Sequence, residues 1–263
     1  AQVDKLLISL SETYVEATAA EQVNVVGDTA LFTLFAISPF STQAKEIEVS
    51  IGDSVWQFKP MVNNEPLQKQ VRLFVPLQWL SQPYWLKEPM GAGAFTISRQ
   101  TDIGLPQKPS LVSTWKVIWD DGTVSLIQKP VQYKHTDPVK GELYEPVVFA
   151  QPVAARMNPP VLLANNRNLQ EKNVEVEISS LAHSPLKGIT VTLNGKEDKL
   201  SFTSGAEGIP HGGKSTVNLM IDPSSVSLGG SAILPLLDKS GMVIQQLHKI
   251  SYDHIPDIFY HSD

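Results

Sequence analysis

The sequence predicts an all-β protein of two tandem antiparallel β-sandwiches, preceded by a short N-terminal helix. Short segments in which apolar and polar residues alternate with period two recur along the chain, which is the pattern of half-buried strands. Turn dipeptides such as Asp121-Gly122 and Asn194-Gly195 separate neighbouring segments, as in hairpins. The length of 263 residues exceeds one small sandwich and suits two domains.

The one predicted helix runs from Val3 to Tyr14. Its apolar residues follow helical spacing and form one stripe: Val3, Leu6, Leu7, Leu10 and Tyr14. An isolated short helix is marginally stable in water, so this stripe should dock on another surface. We assign residues 1–19 to this helix and its junction.

The first predicted sandwich covers residues 20–136. Ala30–Ile37 is almost wholly apolar, as expected for a central strand. Trp115, Val117 and Trp119 share one face of a strand that ends at Asp121-Gly122, so a hairpin should follow. Further alternating residues in this domain are Ile47, Val49, Ile51, Val71, Leu73, Val75, Val124 and Leu126.

A polar stretch with Pro and Gly, residues 137–146, is predicted to be a linker. The second sandwich is then expected at residues 147–263. Its alternating or apolar segments are Val174–Ile178, Ile189–Leu193, Val217–Ile221, Ala232–Leu237 and Met242–Ile250. Regular short strands with turns between them favour the immunoglobulin-like or fibronectin-III-like arrangement for both domains.

Composition excludes several classes of partner. The net charge of -6 and the lack of a Lys/Arg cluster argue against nucleic acid. No apolar run is long enough to span a bilayer, and the chain begins without a basic leader region, so a signal peptide is expected to be absent or removed. The sequence has no cysteine, which rules out disulfides and thiolate metal ligands and is compatible with either the cytoplasm or the periplasm.

One nucleotide-binding motif occurs and is predicted to be false. Residues Gly208–Ser215 match the phosphate-loop pattern G-x-x-x-x-G-K-S. That chemistry requires a helix after the loop, because the helix N-terminus faces the phosphates. Residues 216–222 instead alternate with period two and end at Pro223, so we expect a hairpin loop and no nucleotide.

No catalytic or metal site emerges from the residues. The six histidines are scattered without H-x-x-H or H-E-x-x-H spacing. The pairs Glu46/Glu48 and Glu175/Glu177 lie at i, i+2 spacing, which is typical of the solvated face of a strand. No G-x-S-x-G elbow is present. We therefore predict that this chain is not an enzyme and takes no cofactor or metal.

The loop Ser81–Ala94 is the best candidate for a binding contact. It places Tyr84, Trp85, Lys87 and Glu88 where no strand pattern requires burial. The two aromatic rings are suited to stacking on a sugar, to filling a pocket of a neighbouring domain or to anchoring their own loop. The residues alone leave these three roles open.

The order of several motifs resembles the region after the catalytic domain of large bacterial PIG-L (LmbE-like) deacetylases. The motifs cover nearly the whole chain, from an N-terminal junction segment with EATA at 16–19 to a closing ISYDHIP at 250–256. Between them stand YWLKEP at 84–89, IGLP at 103–106, PVQYK at 130–134 and DPVKGE at 137–142.

This resemblance implies a role beside an enzyme rather than enzymatic activity. Enzymes of that family are zinc-dependent and remove N-acetyl groups from N-acetylglucosamine substrates. Their A-H-P-D-D and later H-x-x-H motifs are missing from this sequence, so no catalytic residue is carried over.

The chain is thus expected to be a periplasmic or extracellular accessory module. Its implied partner is an upstream catalytic domain in the same polypeptide, on which it packs, or that domain's glycan substrate. The alternative is a stand-alone carbohydrate-binding or adhesin-like protein.

Overall fold

Strands dominate the computed structural model of the chain, as the sequence predicts. The structure describes residues 9–39, 44–58, 64–88, 93–105, 107–159, 172–185, 192–193, 208–221, 236–237, 243–252 and 254–262, together with Leu6, Val62 and Gly91. The chain divides into two compact units, one of residues 1–149 and 250–258, the other of residues 150–249 and 259–263. None of the described helices has the length and apolarity that crossing a membrane requires.

The first unit contains a five-stranded and a four-stranded sheet. The strands of the first sheet follow the order β10-β9-β1-β3-β6, and those of the second follow β5-β4-β7-β8. Pairing is antiparallel except between β1 and β9, which are parallel through Thr18↔Gln132 and Ala19↔Tyr133. The strands up to β10 are β1 Tyr14–Ala19, β2 Val23–Val25, β3 Thr29–Ile37, β4 Ala44–Ile51, β5 Ser54–Phe58, β6 Leu67–Phe74, β7 Val112–Trp119, β8 Val124–Pro130, β9 Gln132–Asp137 and β10 Gly141–Pro146.

The inward faces of these two sheets share one apolar cluster. Phe32 and Leu34 of β3, together with Ile47 of β4 and Trp115 of β7, are fully buried within it. Burying each such side chain contributes about 1.5–3 kcal/mol to the stability of the folded state. The indole Nε1 of Trp115 donates to Ser113 Oγ at 2.9 Å, so the largest core residue leaves no unsatisfied donor.

The second unit contains a three-stranded antiparallel sheet of order β12-β13-β15. Its central strand buries Val174, Val176 and Ile178 completely, as their alternation predicts. A two-stranded sheet, β14-β16, also belongs to this unit. β2 of the first unit pairs with β11, and β17 pairs with β18, both of which contain residues of each unit. The remaining strands are β11 Val148–Ala150, β12 Val153–Asn158, β13 Lys172–Ser180, β14 Thr192–Leu193, β15 Lys214–Ile221, β16 Leu236–Leu237, β17 Gln246–Tyr252 and β18 Ile255–Ser262.

The predicted N-terminal helix is only partly covered by the described residues. Leu6, Ser9 and Leu10 are helical, whereas positions 1–5, 7 and 8 lie outside the described part. The helix does not reach Tyr14, which begins β1. The chain leaves the helical conformation at Glu12, whose φ is 52°, a left-handed value that cannot continue a right-handed helix.

The stretch predicted as a linker, residues 137–146, forms a turn and strand β10 in the first unit. Asp137 Oδ1 accepts hydrogen bonds from Val139 N at 2.8 Å and Lys140 N at 2.7 Å. Gly141 then takes a φ of 81°, where a residue with a Cβ would be strained. The Pro and Gly in this stretch therefore encode a hairpin turn between β9 and β10.

The hairpin predicted at Asp121-Gly122 joins β7 to β8. Gly122 has a φ of 83°, and Asp121 Oδ1 accepts a hydrogen bond from Thr123 N at 2.8 Å. The second predicted hairpin turn, Asn194-Gly195, lies outside the described residues. So do most of the strands predicted at residues 189–193 and 232–237, of which β14 and β16 are the described parts.

Candidate functional site

A concavity on the first unit lies on the outer face of the five-stranded sheet. It has a volume of about 630 Å³ and mixed polar and apolar walls, within the size range of ligand sites. We call it the sheet groove. Six of its lining residues supply aromatic rings or polar side-chain groups, namely Tyr14, Glu16, Phe35, Gln68, Lys134 and Tyr144.

Strand geometry explains why these side chains face outward. In β1, Val15, Ala17 and Ala19 are buried, so the alternating positions, including Tyr14 and Glu16, project from the opposite face. The pairing of β1 with β3 then places Glu16 directly across from Phe35, and the pairing of β3 with β6 places Phe35 across from Gln68.

Glu16 is the centre of the polar contacts in the groove. Its Oε2 accepts a hydrogen bond from the Tyr14 hydroxyl at 2.7 Å and one from the Tyr144 hydroxyl at 3.2 Å. Burial, together with the nearby Glu16 carboxylate, raises the pKa of Tyr14 above its ordinary value of 10.0. Tyr14 and Tyr144 nevertheless stay 42% and 40% exposed, so a fixed carboxylate holds two accessible rings in place.

Lys134 neutralises the carboxylates of the groove. Its Nζ lies 3.5 Å from Glu16 Oε1 and 3.1 Å from Glu142 Oε2. It also lies 5.4 Å from the centre of the Tyr144 ring. Hydrogen bonding to Tyr144 and Glu142 raises the pKa of Lys134 above its ordinary 10.5, so this ammonium stays charged throughout the physiological range.

A second ammonium, that of Lys129, lies over the Tyr14 ring. Lys129 Nζ donates to Val15 O at 2.7 Å and lies 4.7 Å from the centre of the ring. Burial lowers the pKa of Lys129 from its ordinary value. The groove lining itself contains two carboxylates, Glu16 and Glu142, and one ammonium, Lys134, and Lys129 lies next to it at the Tyr14 ring.

The groove therefore offers two partly exposed tyrosine rings beside fixed hydrogen-bonding groups. Such a surface suits a ligand with apolar ring faces and many hydroxyls. Within the described residues, no group of three or more His, Asp and Glu side chains is arranged to hold a metal ion.

The predicted contact residues lie in the loop between β6 and β7 and are not among the groove-lining residues. Tyr84 and Trp85 belong to a short 3-10 helix, Tyr84–Leu86. Their rings contact each other edge to face at 4.8 Å, and both are half-buried. Lys87 and Glu88 are exposed beside them. Pro89 and Met90 of this loop lie outside the described residues.

The start of this loop is fixed to β11. Ser81 is buried, and its backbone N donates to Phe149 O at 2.9 Å. Its Oγ accepts a hydrogen bond from Phe149 N at 2.9 Å and lies 2.7 Å from Ser110 Oγ. The loop that carries Tyr84 and Trp85 is therefore held to β11 by hydrogen bonds at its start.

Strand β15 begins at Lys214, within the phosphate-loop match, and continues to Ile221, so a strand follows the loop, as the alternating residues predict. Gly212 N donates to Ser180 O at 2.9 Å, and Gly213 N donates to Pro210 O at 2.8 Å. Two amides that a phosphate would need are thus engaged by backbone carbonyls.

Nearby, the rings of His183 and His211 stack at 5.3 Å, and His211 Nδ1 lies 3.1 Å from Leu181 O.

Sequence reasoning missed the groove because its residues are far apart along the chain. Tyr14 and Glu16 lie on β1, whereas Lys134 and Tyr144 lie on β9 and β10. The one local signal is the pattern Tyr-x-Glu-x-Thr at 14–18, which places an aromatic ring and a carboxylate on the same face of a strand. Assigning Tyr14 to a helix concealed this signal.

Comparison with known proteins leaves the groove as the main guide to function. The chain matches no protein-family model, and no curated protein is similar enough to count as a relative.

Proposed function

We propose that this chain is a non-catalytic module that binds a neutral carbohydrate in the sheet groove. The observation that carries the proposal is the pair of exposed rings, Tyr14 and Tyr144, held on one carboxylate, Glu16. A sugar presents C–H groups on the faces of its ring and hydroxyls at its edge. The tyrosine rings would contact the faces, and Glu16, Lys134 and Gln68 would bind the hydroxyls.

The charge balance of the groove supports a neutral ligand over an anionic one. Lys134 already contacts two carboxylates, at 3.5 Å and 3.1 Å. A phosphate or sulfate would have to compete with both, and would lie close to Glu16. A sugar hydroxyl can accept from Lys134 and donate to Glu16 without displacing either charge. Each stacked ring is expected to contribute on the order of 1 kcal/mol.

We further propose that the module serves beside a deacetylase of the PIG-L type, in the periplasm or outside the cell. The order of YWLKEP, PVQYK, DPVKGE and ISYDHIP along the chain supports this role. Exposed Lys87 and Glu88 on an anchored loop offer a contact for the catalytic domain. A natural polypeptide without a deacetylase domain would overturn the accessory role and leave the groove proposal standing.

The immunoglobulin-like sandwich belongs to the same proposal. In the first unit, a five-stranded and a four-stranded sheet contribute to one apolar cluster, which is the layering expected of such a domain. In the second unit, the antiparallel β12-β13-β15 sheet supports a similar arrangement.

Calorimetric titration with oligosaccharides tests the groove. Neutral oligomers of glucose and of N-acetylglucosamine should bind, and Tyr14→Ala or Tyr144→Ala should weaken that binding about fivefold. The matched control is Tyr252→Ala, because Tyr252 is 67% exposed and does not line the groove. Binding lost in Trp85→Ala but retained in both groove variants would place the ligand at the loop and refute the groove.

A further inference from the structure

We infer that the sheet groove binds an extended carbohydrate chain that runs across the strands, rather than a single sugar. This inference rests on the proposed function and specifies its ligand. The side chains that line the groove come from all five strands of the sheet, so the binding surface is as wide as the sheet itself.

The groove extends about as far across the strands as along them. From Tyr144 on β10 to Gln68 on β6 there are four strand intervals, which span about 19 Å at about 4.8 Å each. Along β1, the lining residues run from Tyr14 to Ala20, which is about 20 Å. A ligand that contacts the lining residues of all five strands therefore has to cross the strands, and a single sugar ring is too small to do so.

One sugar ring is little wider than one strand interval of about 4.8 Å, so about three to four linked rings would fill the groove. The residues facing such a chain change in character from one edge to the other. Tyr144 and Lys134 serve the β10 edge, Glu16 lies in the middle, and Phe35 with Gln68 completes the β6 edge. Each ring of the chain would meet at least one hydrogen-bonding group.

The groups along this path are already ordered without a ligand. Glu16 Oε2 accepts from both tyrosine hydroxyls, and Lys134 lies between Glu16 and Glu142. Tyr14 packs edge to face on Phe35 with ring centres 6.1 Å apart. Little side-chain freedom remains to be lost on binding, which favours a measurable affinity from contacts that are individually weak.

The test is a chain-length series with variants at the two edges of the groove. The probes are β-1,4-linked oligomers of glucose and of N-acetylglucosamine, from one ring to five, titrated into the full chain. The variants are Tyr144→Ala at the β10 edge and Gln68→Ala at the β6 edge. Gln128→Ala is the matched control, because Gln128 is exposed on β8 of the other sheet and does not line the groove.

We expect affinity to rise with each added ring and to level off at about three to four rings. Both edge variants should weaken binding of the longest oligomer by about three- to tenfold. For the shortest oligomer that binds, only one of the two should have an effect, because a short ligand cannot reach both edges. Gln128→Ala should match the unaltered chain at every length.

Each other outcome separates this inference from the proposed function. Equal affinity for one ring and five rings, lost in Tyr14→Ala, would overturn the extended chain and leave carbohydrate binding in the groove. If only one of the two edge variants weakened binding of the longest oligomer, the extended chain would again be overturned and carbohydrate binding in the groove would stand. Failure of every sugar to bind, or occupation of the groove by an extended peptide instead, would overturn both.

Discussion

Replacing Ser81 with alanine should destabilise the first unit more than the loss of one ordinary hydrogen bond. The Ser81 hydroxyl accepts from the buried Phe149 N–H at 2.9 Å and also contacts Ser110 Oγ at 2.7 Å. Alanine would leave the Phe149 N–H without its partner, at about 1–3 kcal/mol. Loss of the Ser110 contact adds about 0.5–1.5 kcal/mol. The free energy of unfolding should therefore fall by about 1.5–4.5 kcal/mol.

Urea denaturation followed by tryptophan fluorescence measures this change in the first unit alone. All five tryptophans lie between residues 56 and 119, within that unit. Ser110→Ala is the matched control, because it removes a hydroxyl from the same contact while Phe149 N keeps Ser81 Oγ; it should cost about 1 kcal/mol. Equal losses for the two variants would refute the claim that the buried N–H dominates.

Three further predictions test the fold. Leu34→Ala, at a fully buried core position, should lower the free energy of unfolding by about 2–5 kcal/mol. Leu126→Ala, at a side chain that is 54% exposed, should change it by about 0.5 kcal/mol or less. Similar losses for the two variants would contradict the assigned inward and outward faces of the sheets. Gly122→Ala should lower the free energy of unfolding by about 1–2 kcal/mol, because Gly122 has a φ of 83°. Gly122→Asn should lower it by less. A denaturation midpoint that is lower for the asparagine variant than for the alanine variant would contradict a left-handed turn. Two backbone amides of its turn lower the pKa of Asp137 below its usual 3.8, so its stabilisation should be complete above pH 3.8 and be lost as pH falls through the lower, folded-state pKa. An NMR titration midpoint of 3.8 or higher would contradict this.

Strands whose inward residues are large and apolar could be predicted from sequence alone. In β3 and β7, residues such as Phe32, Leu34 and Trp115 alternate with outward positions, and this pattern is visible in any short window. β1 was missed because its inward residues are Val15, Ala17 and Ala19. Small side chains give a weak period-two signal, so the neighbouring apolar stripe dominated the prediction.

The linker prediction and the missed groove share a physical cause. Pro and Gly mark chain reversals whether the chain is entering a linker or a hairpin, and only pairing with another strand separates the two cases. Residues 137–146 pair within the hairpin of β9 and β10. The groove likewise depends on which strands are neighbours, and a period-two pattern fixes the face of a residue without fixing its neighbouring strand.

The parallel pairing of β1 with β9 has a consequence for folding. β1 lies in the interior of its sheet, and one of its two neighbours follows it by more than a hundred residues. Closing so long a loop is entropically costly, and long-range pairing of this kind slows folding. During synthesis, the free edge of β1 would stay exposed until β9 has left the ribosome. We therefore expect ribosome-bound fragments ending before β9 to associate through that edge.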